Sequence, residues 1–254
     1  MIIGFVSDIH EDIKNLERAL RLLDSLKVDE IVCLGDIVGF NVASCNFIQE
    51  RNATACVFSI KKHCSKVIPG NHDLYAVRNT PEYRGGFDYE HNWYNMDFET
   101  RKSKGKDKIW LYEETELANL MSMPEKAYID SLPETDYILA GDIKLLFTHY
   151  IYPNISGSAV GFVESKWDFD AHLDWMKVQH SDISFSGHGH IEGLQIGTRH
   201  ALKKFGFGKT VKIEPGTMII GPCIARGSKT NGVMVFNTKT MEVATFPLEL
   251  DKTQ

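Results

Sequence analysis

The first part of the chain alternates short apolar runs with stripes of apolar residues at helical spacing. Residues 2–7, 30–34 and 66–68 are apolar runs of strand length, which predict buried β-strands. Apolar residues three and four positions apart predict a helix over 13–26, and a second helical stretch is predicted over 42–62. Strands that alternate with helices indicate right-handed crossovers and a largely parallel sheet.

The pattern changes between about residues 79 and 133, where aromatic residues stand among charged ones and the alternation stops. We interpret this segment as a partly helical insertion that covers one edge of the sheet, with a short helix over 123–132. Its aromatic side chains have two interpretations that the sequence leaves open. They form a hydrophobic mini-core that closes the edge of the domain, or they offer faces on which a nucleobase stacks.

The second half of the chain is rich in strand-length runs. Residues 137–140 and 143–148, joined by a Gly-Asp turn, predict an antiparallel hairpin. A helix is predicted near 169–179, and a strand at 182–185 follows it. Three further runs in the tail suit the strands of a second sheet, at 210–213, 232–237 and 242–248.

Length, composition and charge restrict the class of protein. A chain of 254 residues fits one α/β domain spanning 1–254, with the insertion at about 79–133. No run approaches the roughly 18 apolar residues that a membrane helix needs, and the apolar start carries Asp8 and lacks a basic lead. We therefore expect a soluble, cytoplasmic protein. The net charge of -6 argues against long nucleic acids, which bind basic surfaces.

Two local features each have a structural and a functional interpretation. The basic run at 101–106 could contact phosphates, but Lys-rich runs are usually solvated loops. Cys45, Cys56 and Cys64, with His63, could suggest a zinc site, but their spacing matches no structural zinc pattern. We favour the solvated loop and reduced thiols, which are typical of a reducing compartment.

Five polar segments each follow a predicted strand. In an open α/β sheet, ligands bind beyond the carboxyl ends of the strands, so residues far apart in sequence converge there. Five of the ten histidines lie in these segments, a concentration that random placement would rarely produce. The segments are Asp8-Ile9-His10, Gly35-Asp36, Gly70-Asn71-His72-Asp73, Thr148-His149 and Gly187-His188-Gly189-His190.

The chemistry of these side chains points to metal ions. Imidazole and carboxylate groups together suit divalent Mn, Fe, Zn or Co. Two such ions about 4 Å apart hold phosphoryl oxygens and generate a hydroxide between them. Asp36, alone at its strand end, is the candidate for the bridging carboxylate. Asn71 can ligate through its carbonyl oxygen while its NH2 group faces a substrate oxygen, and Gly189 permits unusual dihedrals between the two histidines beside it.

The ordered set Asp-x-His, Gly-Asp, Gly-Asn-His-Asp, His and Gly-His-x-His resembles the calcineurin-like metallophosphoesterase superfamily. Residues 7–20, 33–40 and 214–217 look like its bacterial and archaeal phosphodiesterase-like branch. The resemblance implies an α/β fold of two mixed β-sheets packed as an α/β/β/α sandwich. It implies one ion on Asp8, His10, Asp36 and His190, and a second on Asp36, Asn71, His149 and His188.

The resemblance also implies a catalytic role for His72, which is not a ligand in the family pattern. His72 would donate a proton to the leaving oxygen or bind the phosphoryl group, and Asp73 would orient and charge it. This role makes independent chemical sense, because an alkoxide leaving group needs a general acid and a carboxylate favours imidazolium.

Two positions depart from related sequences. Ile37-Val38-Gly39 stands where the protein Ser/Thr phosphatase branch has Asp-Arg-Gly, so no arginine is available there to grip phosphate. Asp12, which also suits the N-cap of the first helix, stands where related sequences often have Asn. Weaker candidates for substrate contacts follow the ligand segments: Asn41, Tyr75, Arg78, Tyr150 and Tyr152.

The sequence therefore predicts a hydrolase that attacks a phosphodiester or phosphomonoester with a metal-held hydroxide. Two divalent ions are its expected cofactors, with Mn as the ion expected in vitro. A small nucleotide-like substrate is favoured over a polymer, given the acidic charge and the insertion that could narrow the site. The alternatives are a non-catalytic scaffold that binds proteins through this fold, and a manganese-dependent nuclease, which would need a basic groove.

Overall fold

The first strand of the chain lies in the middle of a mixed six-stranded sheet. The computed structural model describes residues 1–227 and 229–248. In this first sheet, β1 is parallel to β2 and β2 to β4, whereas the tail strands pair antiparallel. The strands in spatial order are β11 (Thr210–Lys212), β14 (Glu242–Pro247), β13 (Gly232–Asn237), β1 (Ile2–Val6), β2 (Glu30–Cys33) and β4 (Lys66–Val67).

A second six-stranded sheet packs against the first, and a two-stranded ribbon lies beside them. The predicted hairpin is present as β6 and β7, and β8 is parallel to both β7 and β12. The second sheet runs β10 (Leu202–Phe205), β9 (Leu194–Gly197), β12 (Thr217–Pro222), β8 (Ile183–Ile191), β7 (Ile143–Thr148) and β6 (Thr135–Ala140). The ribbon pairs β3 (Phe40–Asn41) with β5 (Glu116–Leu117).

Helices cover the outer faces of the two sheets, which confirms the predicted four-layer sandwich. Apolar residues of α1, α2 and α5 pack on the first sheet, and those of α6 pack on the second. No helix within residues 1–227 and 229–248 is long and apolar enough to cross a membrane. The helices are α1 (Ile13–Ser25), α2 (Ala53–His63), α3 (Asn71–Val77), α4 (Phe98–Gly105), α5 (Met123–Asp130) and α6 (Asp170–Val178). Short 3-10 turns cover Ile48–Glu50, Trp93–Asn95 and Lys166–Phe169.

The core between the sheets is aromatic at its centre. Phe5 of β1 stacks on Phe185 of β8 with ring centroids 4.5 Å apart, and the edge of Phe147 from β7 meets Phe5 at 5.8 Å. All three side chains are buried. Such pairs add about 0.5–1.5 kcal/mol beyond the area they bury. They hold the two sheets face to face, so the carboxyl ends of β1 and β8 meet at one edge.

Two predictions about elements are wrong. The helix predicted over 42–62 begins only at Ala53, where the Asn52 side chain accepts the backbone N–H of Ala55; the preceding residues form β3, a loop and a 3-10 turn. The tail strands β11, β13 and β14 join the first sheet, because β13 pairs with β1. The second sheet is instead completed by β9, β10 and β12.

Part of the aromatic set of the insertion forms the mini-core, one of the two interpretations that the sequence left open. Phe87, Tyr89 and Trp93 pack edge to face against one another and are buried with Ile109, forming a mini-core. The basic run was interpreted wrongly as a solvated loop. It belongs to α4 and its end, where it is paired within the insertion: Arg101 with Glu113, Lys102 with Glu114, and Lys104 with Glu90. The mini-core and these ion pairs stabilise the insertion from within.

Candidate metal centre

The carboxyl ends of five strands bring the predicted ligands to one edge of the sandwich. β1 leads to Asp8 and His10, β2 to Asp36, and β4 to Asn71, which opens α3. β7 leads directly to His149. The last two histidines, predicted to lie in a turn, belong to the end of β8 itself, which runs on to Ile191.

A first group of ligand atoms consists of Asp8, His10 and His190, which lie within 4.8 Å of one another. The two imidazole Nε2 atoms of His10 and His190 are 3.1 Å apart. Asp8 Oδ1 lies 3.3 Å from His190 Nε2. Both oxygens of Asp8 also accept the backbone N–H of His188, so this carboxylate is held in place.

A second group consists of Asp36, His149 and His188, also within 4.8 Å of one another. All three residues are buried. The Asn71 amide oxygen lies 3.0 Å from His188 Nδ1, which places it beside this group. The structure therefore brings together all seven predicted ligands, and a third group of ligand atoms within the same distance consists of His10, Asp36 and His72.

Asp36 lies between the two groups, as a bridging carboxylate would. Its Oδ2 is 3.2 Å from His149 Nε2 and 3.9 Å from His10 Nε2. Its Oδ1 accepts the backbone N–H of His72 at 2.9 Å. One oxygen is thus occupied by the start of α3, and the other is left facing both groups of imidazoles.

The backbone of the site is held in an uncommon conformation. Eleven non-glycine residues have positive φ within residues 1–227 and 229–248, and five of them are predicted ligands. Such backbone costs roughly 1–3 kcal/mol per residue and clusters where the surrounding structure imposes it. Between the two β8 histidines, Gly189 has an ordinary φ, so the histidines carry the unusual dihedrals that the sequence assigned to the glycine. The five are Asp8, His10, Asp36, His188 and His190.

The donor atoms fit divalent cations. His149 Nδ1 lies 2.6 Å from the Leu34 carbonyl oxygen and His10 Nδ1 lies 2.8 Å from that of Gly39, which leaves Nε2 of each ring for an ion. Nε2 of His149 and Nε2 of His188 are buried without a hydrogen-bond partner. Imidazole nitrogens together with carboxylate and amide oxygens suit divalent ions such as Mn, Fe, Zn or Co.

Charges within the cluster shift the pKa values of its carboxylates and imidazoles strongly. Burial alone would raise the pKa of Asp8, but His190 and His149 lower it below the usual range. Burial alone would lower the pKa of His149, but the Asp36 and Asp8 carboxylates raise it to about 9. The site is therefore a dense set of interacting acids and bases, as functional sites commonly are.

His72 lies at the edge of the cluster, and its carboxylate partner was not predicted. His72 Nδ1 is 2.7 Å from Oε2 of Glu116, which comes from β5 of the insertion. The expected orienting contact from Asp73 is wrong, because that carboxylate accepts the backbone N–H groups of Ile37, Val38 and Gly70. Burial alone would lower the pKa of His72, but Asp36 and Glu116 raise it.

A pocket of about 580 Å³ opens in front of the cluster. Its metal-facing wall includes Asp36, His72 and His188. The NH2 group of Asn71 donates to the Tyr112 hydroxyl at 2.5 Å, so it does not face a substrate oxygen as expected. Beyond the cluster, the pocket is lined by aromatic rings and by two lysines: Trp110, Tyr112, Tyr150, Phe162, Lys204 and Lys229.

The weaker substrate-contact candidates divide into two groups. Asn41 and Tyr150 line the pocket, although the Tyr150 hydroxyl is occupied by the backbone N–H of Val163. Tyr75 packs against Tyr112 with centroids 4.9 Å apart, outside the pocket wall. In the part of the chain that the structure describes, Arg78 and Tyr152 do not line the pocket either. Arg78 ends α3, and Tyr152 stacks on Trp175.

Asp12 has a structural role. Its side chain accepts the backbone N–H of Asn15 and so caps α1, as expected. Both of its oxygens also accept from the Arg226 guanidinium at 2.8 Å. Asp12 is fully buried and has these partners, so it is not a residue that contacts a substrate.

Glu116 and several residues of the pocket have no recognisable signal in the sequence. Glu116 lies in a two-residue strand, too short for any periodicity. Phe162 and the two lysines lie in segments without a motif. Trp110 and Tyr112 belong to the aromatic set of the insertion, but nothing in the sequence separates them from the mini-core residues.

Comparisons with known proteins agree with this site. The family model described as calcineurin-like phosphoesterase matches residues 1–192. A metallophosphoesterase from Sphaerobacter thermophilus shares the fold at TM-score 0.67 and 16% identity, covering 98% of this chain and 88% of that one. A hypothetical protein from Pyrococcus horikoshii OT3 gives TM-score 0.60 and 15% identity, covering 99% and 89%. Curated proteins give no match. The chain belongs to the calcineurin-like phosphoesterase family.

Proposed function

We propose that this protein hydrolyses a small phosphate ester at a centre of two divalent metal ions. One observation carries the proposal: Asp36 Oδ2 lies between two groups of imidazole and carboxylate ligands, at the wall of a pocket. Asp8, His10, Asp36 and His190 would hold one ion. Asp36, Asn71, His149 and His188 would hold the other. Bound divalent ions polarise phosphoryl oxygens and lower the pKa of water.

The residues of the chain supply orientation and proton transfer. The carbonyl groups that face His10 and His149 fix the direction of these rings. His72, in the pocket wall, would give a proton to the oxygen that leaves phosphorus. A positioned general acid contributes typically 10²–10⁴-fold to rate.

The pocket favours a nucleotide-like substrate. Phe162 is 55% exposed, stacks on His188 with centroids 5.4 Å apart, and lies 6.0 Å from Trp110. An exposed ring at the rim gives a nucleobase a face to stack on. Lys204 and Lys229 offer positive charge elsewhere in the same wall, where further phosphate groups of a nucleotide would gain from it.

The two alternatives find less support. A nuclease needs a basic groove, but the cations of the 101–106 run that lie in α4 are paired with acids of the insertion. A non-catalytic scaffold has no need of His72 or of a complete set of ligands, and both are present. The cytoplasmic location stays a proposal, supported by five cysteines that are all free.

Phosphoesterase activity and metal content test the proposal together. We expect purified protein with added Mn²⁺ to hydrolyse p-nitrophenyl phosphate or its bis ester, and to contain two ions per chain. Asp36→Asn should lower activity more than about 100-fold, because the loss of a group that only supports a metal ligand already costs about 10–100-fold. Asp142→Asn, an exposed position in the β6–β7 turn, is the control. Wild-type protein inactive on cyclic, mono- and dinucleotides as well would contradict the proposal.

The nucleotide preference has a separate test. Phe162→Ala should raise KM for a nucleotide at least about 5-fold, because base stacking on an aromatic ring contributes about 1–3 kcal/mol. KM for p-nitrophenyl phosphate should change far less. Trp167→Ala is the matched control, since Trp167 is 66% exposed and lies outside the pocket wall. Equal effects on both substrates would count against a base-stacking role.

A further inference from the structure

The closest partner of His72 is a carboxylate that the insertion contributes. Glu116 Oε2 lies 2.7 Å from His72 Nδ1, and only 2% of the Glu116 side chain and 12% of the His72 side chain are exposed. A buried contact of this length between a ring nitrogen and a carboxylate is a charge-assisted hydrogen bond. Because a carboxylate can only accept, His72 Nδ1 carries the proton.

Glu116 is placed by backbone pairing with the loop that carries Asp36. In the ribbon, Asn41 pairs with Glu116 and Phe40 with Leu117. The backbone N–H of Val42 donates to the Thr115 carbonyl at 2.9 Å, which extends the pairing. The insertion is thus anchored next to the metal-ligand loop, and its carboxylate reaches His72 from a fixed register.

The backbone of the Asp36 loop and the Tyr112 ring also contact His72. A Cβ added at Gly39 would lie 2.5 Å from the Cβ of His72, so the backbone of the Asp36 loop packs directly against this residue. The Tyr112 ring lies 4.6 Å from the imidazole, centroid to centroid. Asp73, next in sequence, is occupied by three backbone amides. Glu116, and not Asp73, is therefore the carboxylate that contacts the His72 ring.

We propose that Glu116 is the positioning residue of His72 and that the insertion thereby completes the active site. This inference rests on the proposed phosphoesterase function. Glu116 accepts a hydrogen bond from the His72 Nδ1–H group, which leaves Nε2 to serve the substrate. As the ester P–O bond breaks and water adds to phosphorus, the leaving oxygen takes the Nε2 proton. The ring keeps its Nδ1 proton, and the proton released by water returns to Nε2 through solvent.

Leaving-group dependence separates this role from a purely structural one. A general acid matters for a poor leaving group such as phenoxide and little for 2,4-dinitrophenoxide, which departs without a proton. We expect Glu116→Gln and Glu116→Ala to lower kcat about 100-fold for phenyl esters and less than about 3-fold for 2,4-dinitrophenyl esters. Glu114→Gln, which loses an exposed partner of Lys102 in the same loop, should behave as wild type.

The outcomes are distinct. An equal loss with both leaving groups, or no loss with either, would overturn the inference. A second readout needs no turnover: in nitrogen NMR of the metal-free protein, His72 Nδ1 should be protonated in wild type and should change its signal in Glu116→Gln. An unprotonated Nδ1 would also overturn it. Wild-type protein that shows the Nδ1 proton but hydrolyses no ester would refute the proposed function and leave the hydrogen bond intact.

Discussion

At the scale of the residue, single glycines lie directly beside the predicted metal ligands. A Cβ at Gly157 would lie 2.5 Å from His188 Nδ1 and 2.9 Å from Asn71 Oδ1. A Cβ at Gly70 would lie 2.2 Å from Asp36 Oδ1. Real Cβ atoms do not approach other atoms so closely, so the backbone at these positions forms a wall of the metal centre that no side chain can replace.

Gly157→Ala should therefore displace two ligands at once. We expect the loss of at least one of the two proposed ions and a fall in activity of more than about 10-fold, because disturbing the support of a metal ligand typically costs about 10–100-fold. Gly208→Ala is the matched control: φ is +78 at Gly157 and +76 at Gly208, but a Cβ at Gly208 has no neighbour within 4 Å. Metal analysis of both variants distinguishes the clash from backbone strain. Equal metal loss in both would contradict the prediction.

His172 gives the fold a sensitivity to acid. It is fully buried, its Nδ1 accepts the backbone N–H of Tyr152, and burial lowers its pKa from 6.5 to about 3. The unfolded chain therefore binds a proton below pH 6.5 that the folded protein does not, so stability falls as the pH falls. From pH 6.5 to pH 5 this contribution amounts to about 2 kcal/mol, since one unit of pKa corresponds to 1.36 kcal/mol.

Denaturant unfolding at the two pH values measures the effect. The free energy of unfolding of His172→Gln, whose amide oxygen can still accept from Tyr152, should change by about 2 kcal/mol less than that of wild type. His200→Gln, at an exposed position, should follow wild type. The same slope in wild type and His172→Gln would show that His172 is not buried as a neutral ring.

The ligands could be predicted from sequence because each one follows a strand of the sandwich or lies at the end of one. Asp36 and His149 needed only the rule that strand ends converge. Glu116 could not be predicted, because its position depends on a two-residue pairing with no pattern in the sequence. Asp73 was assigned the wrong contact since adjacency in the chain says nothing about direction at a helix start, where its carboxylate accepts backbone amides.

At the scale of the element, α1 is tied at its start to the distant tail. Asp12 caps the helix and binds the Arg226 guanidinium, which also contacts Glu50. The carboxylate is fully buried and 18% of the Arg226 side chain is exposed. One side chain thus links the segment after β1 to the segment after β12.

Asp12→Ala should lower the free energy of unfolding by about 2–3 kcal/mol, because it removes hydrogen bonds to the charged Arg226 guanidinium and a helix cap, while Arg226 keeps its contact with Glu50. Glu17→Ala, which breaks an exposed pair with Arg21 in the same helix, should cost less than about 1 kcal/mol. Urea unfolding of both variants checks the difference. Similar values would mean that the Arg226 contact contributes little.

Element types were predictable where periodicity was long. α1 and the β6–β7 hairpin follow their apolar patterns closely. The predicted helix over 42–62 was too long, because the exposed turn before Asn52 has no distinct pattern. The assignment of tail strands to a second sheet was wrong because a strand pattern says which residues alternate, and not which strand becomes the neighbour.

At the scale of the whole molecule, the predicted ligands all lie in the first part of the chain, whereas several strands of the two sheets come from the last part. All seven predicted ligands lie within residues 1–192, yet β9 to β14 follow this range. A chain that ends at Glu192 would expose β1 without β13 and β8 without β12. We expect this chain to lack a cooperative unfolding transition by circular dichroism. A sharp transition would show that the first part folds alone.

The central position of β1 also affects how a newly made chain can fold. Residues 2–6 leave the ribosome long before their antiparallel partner at 232–237. Until that partner emerges, one edge of β1 is unpaired and Phe5 lacks part of its apolar cover. The nascent chain must therefore remain incompletely folded over this interval, in which exposed apolar surface and unpaired strand edges favour aggregation.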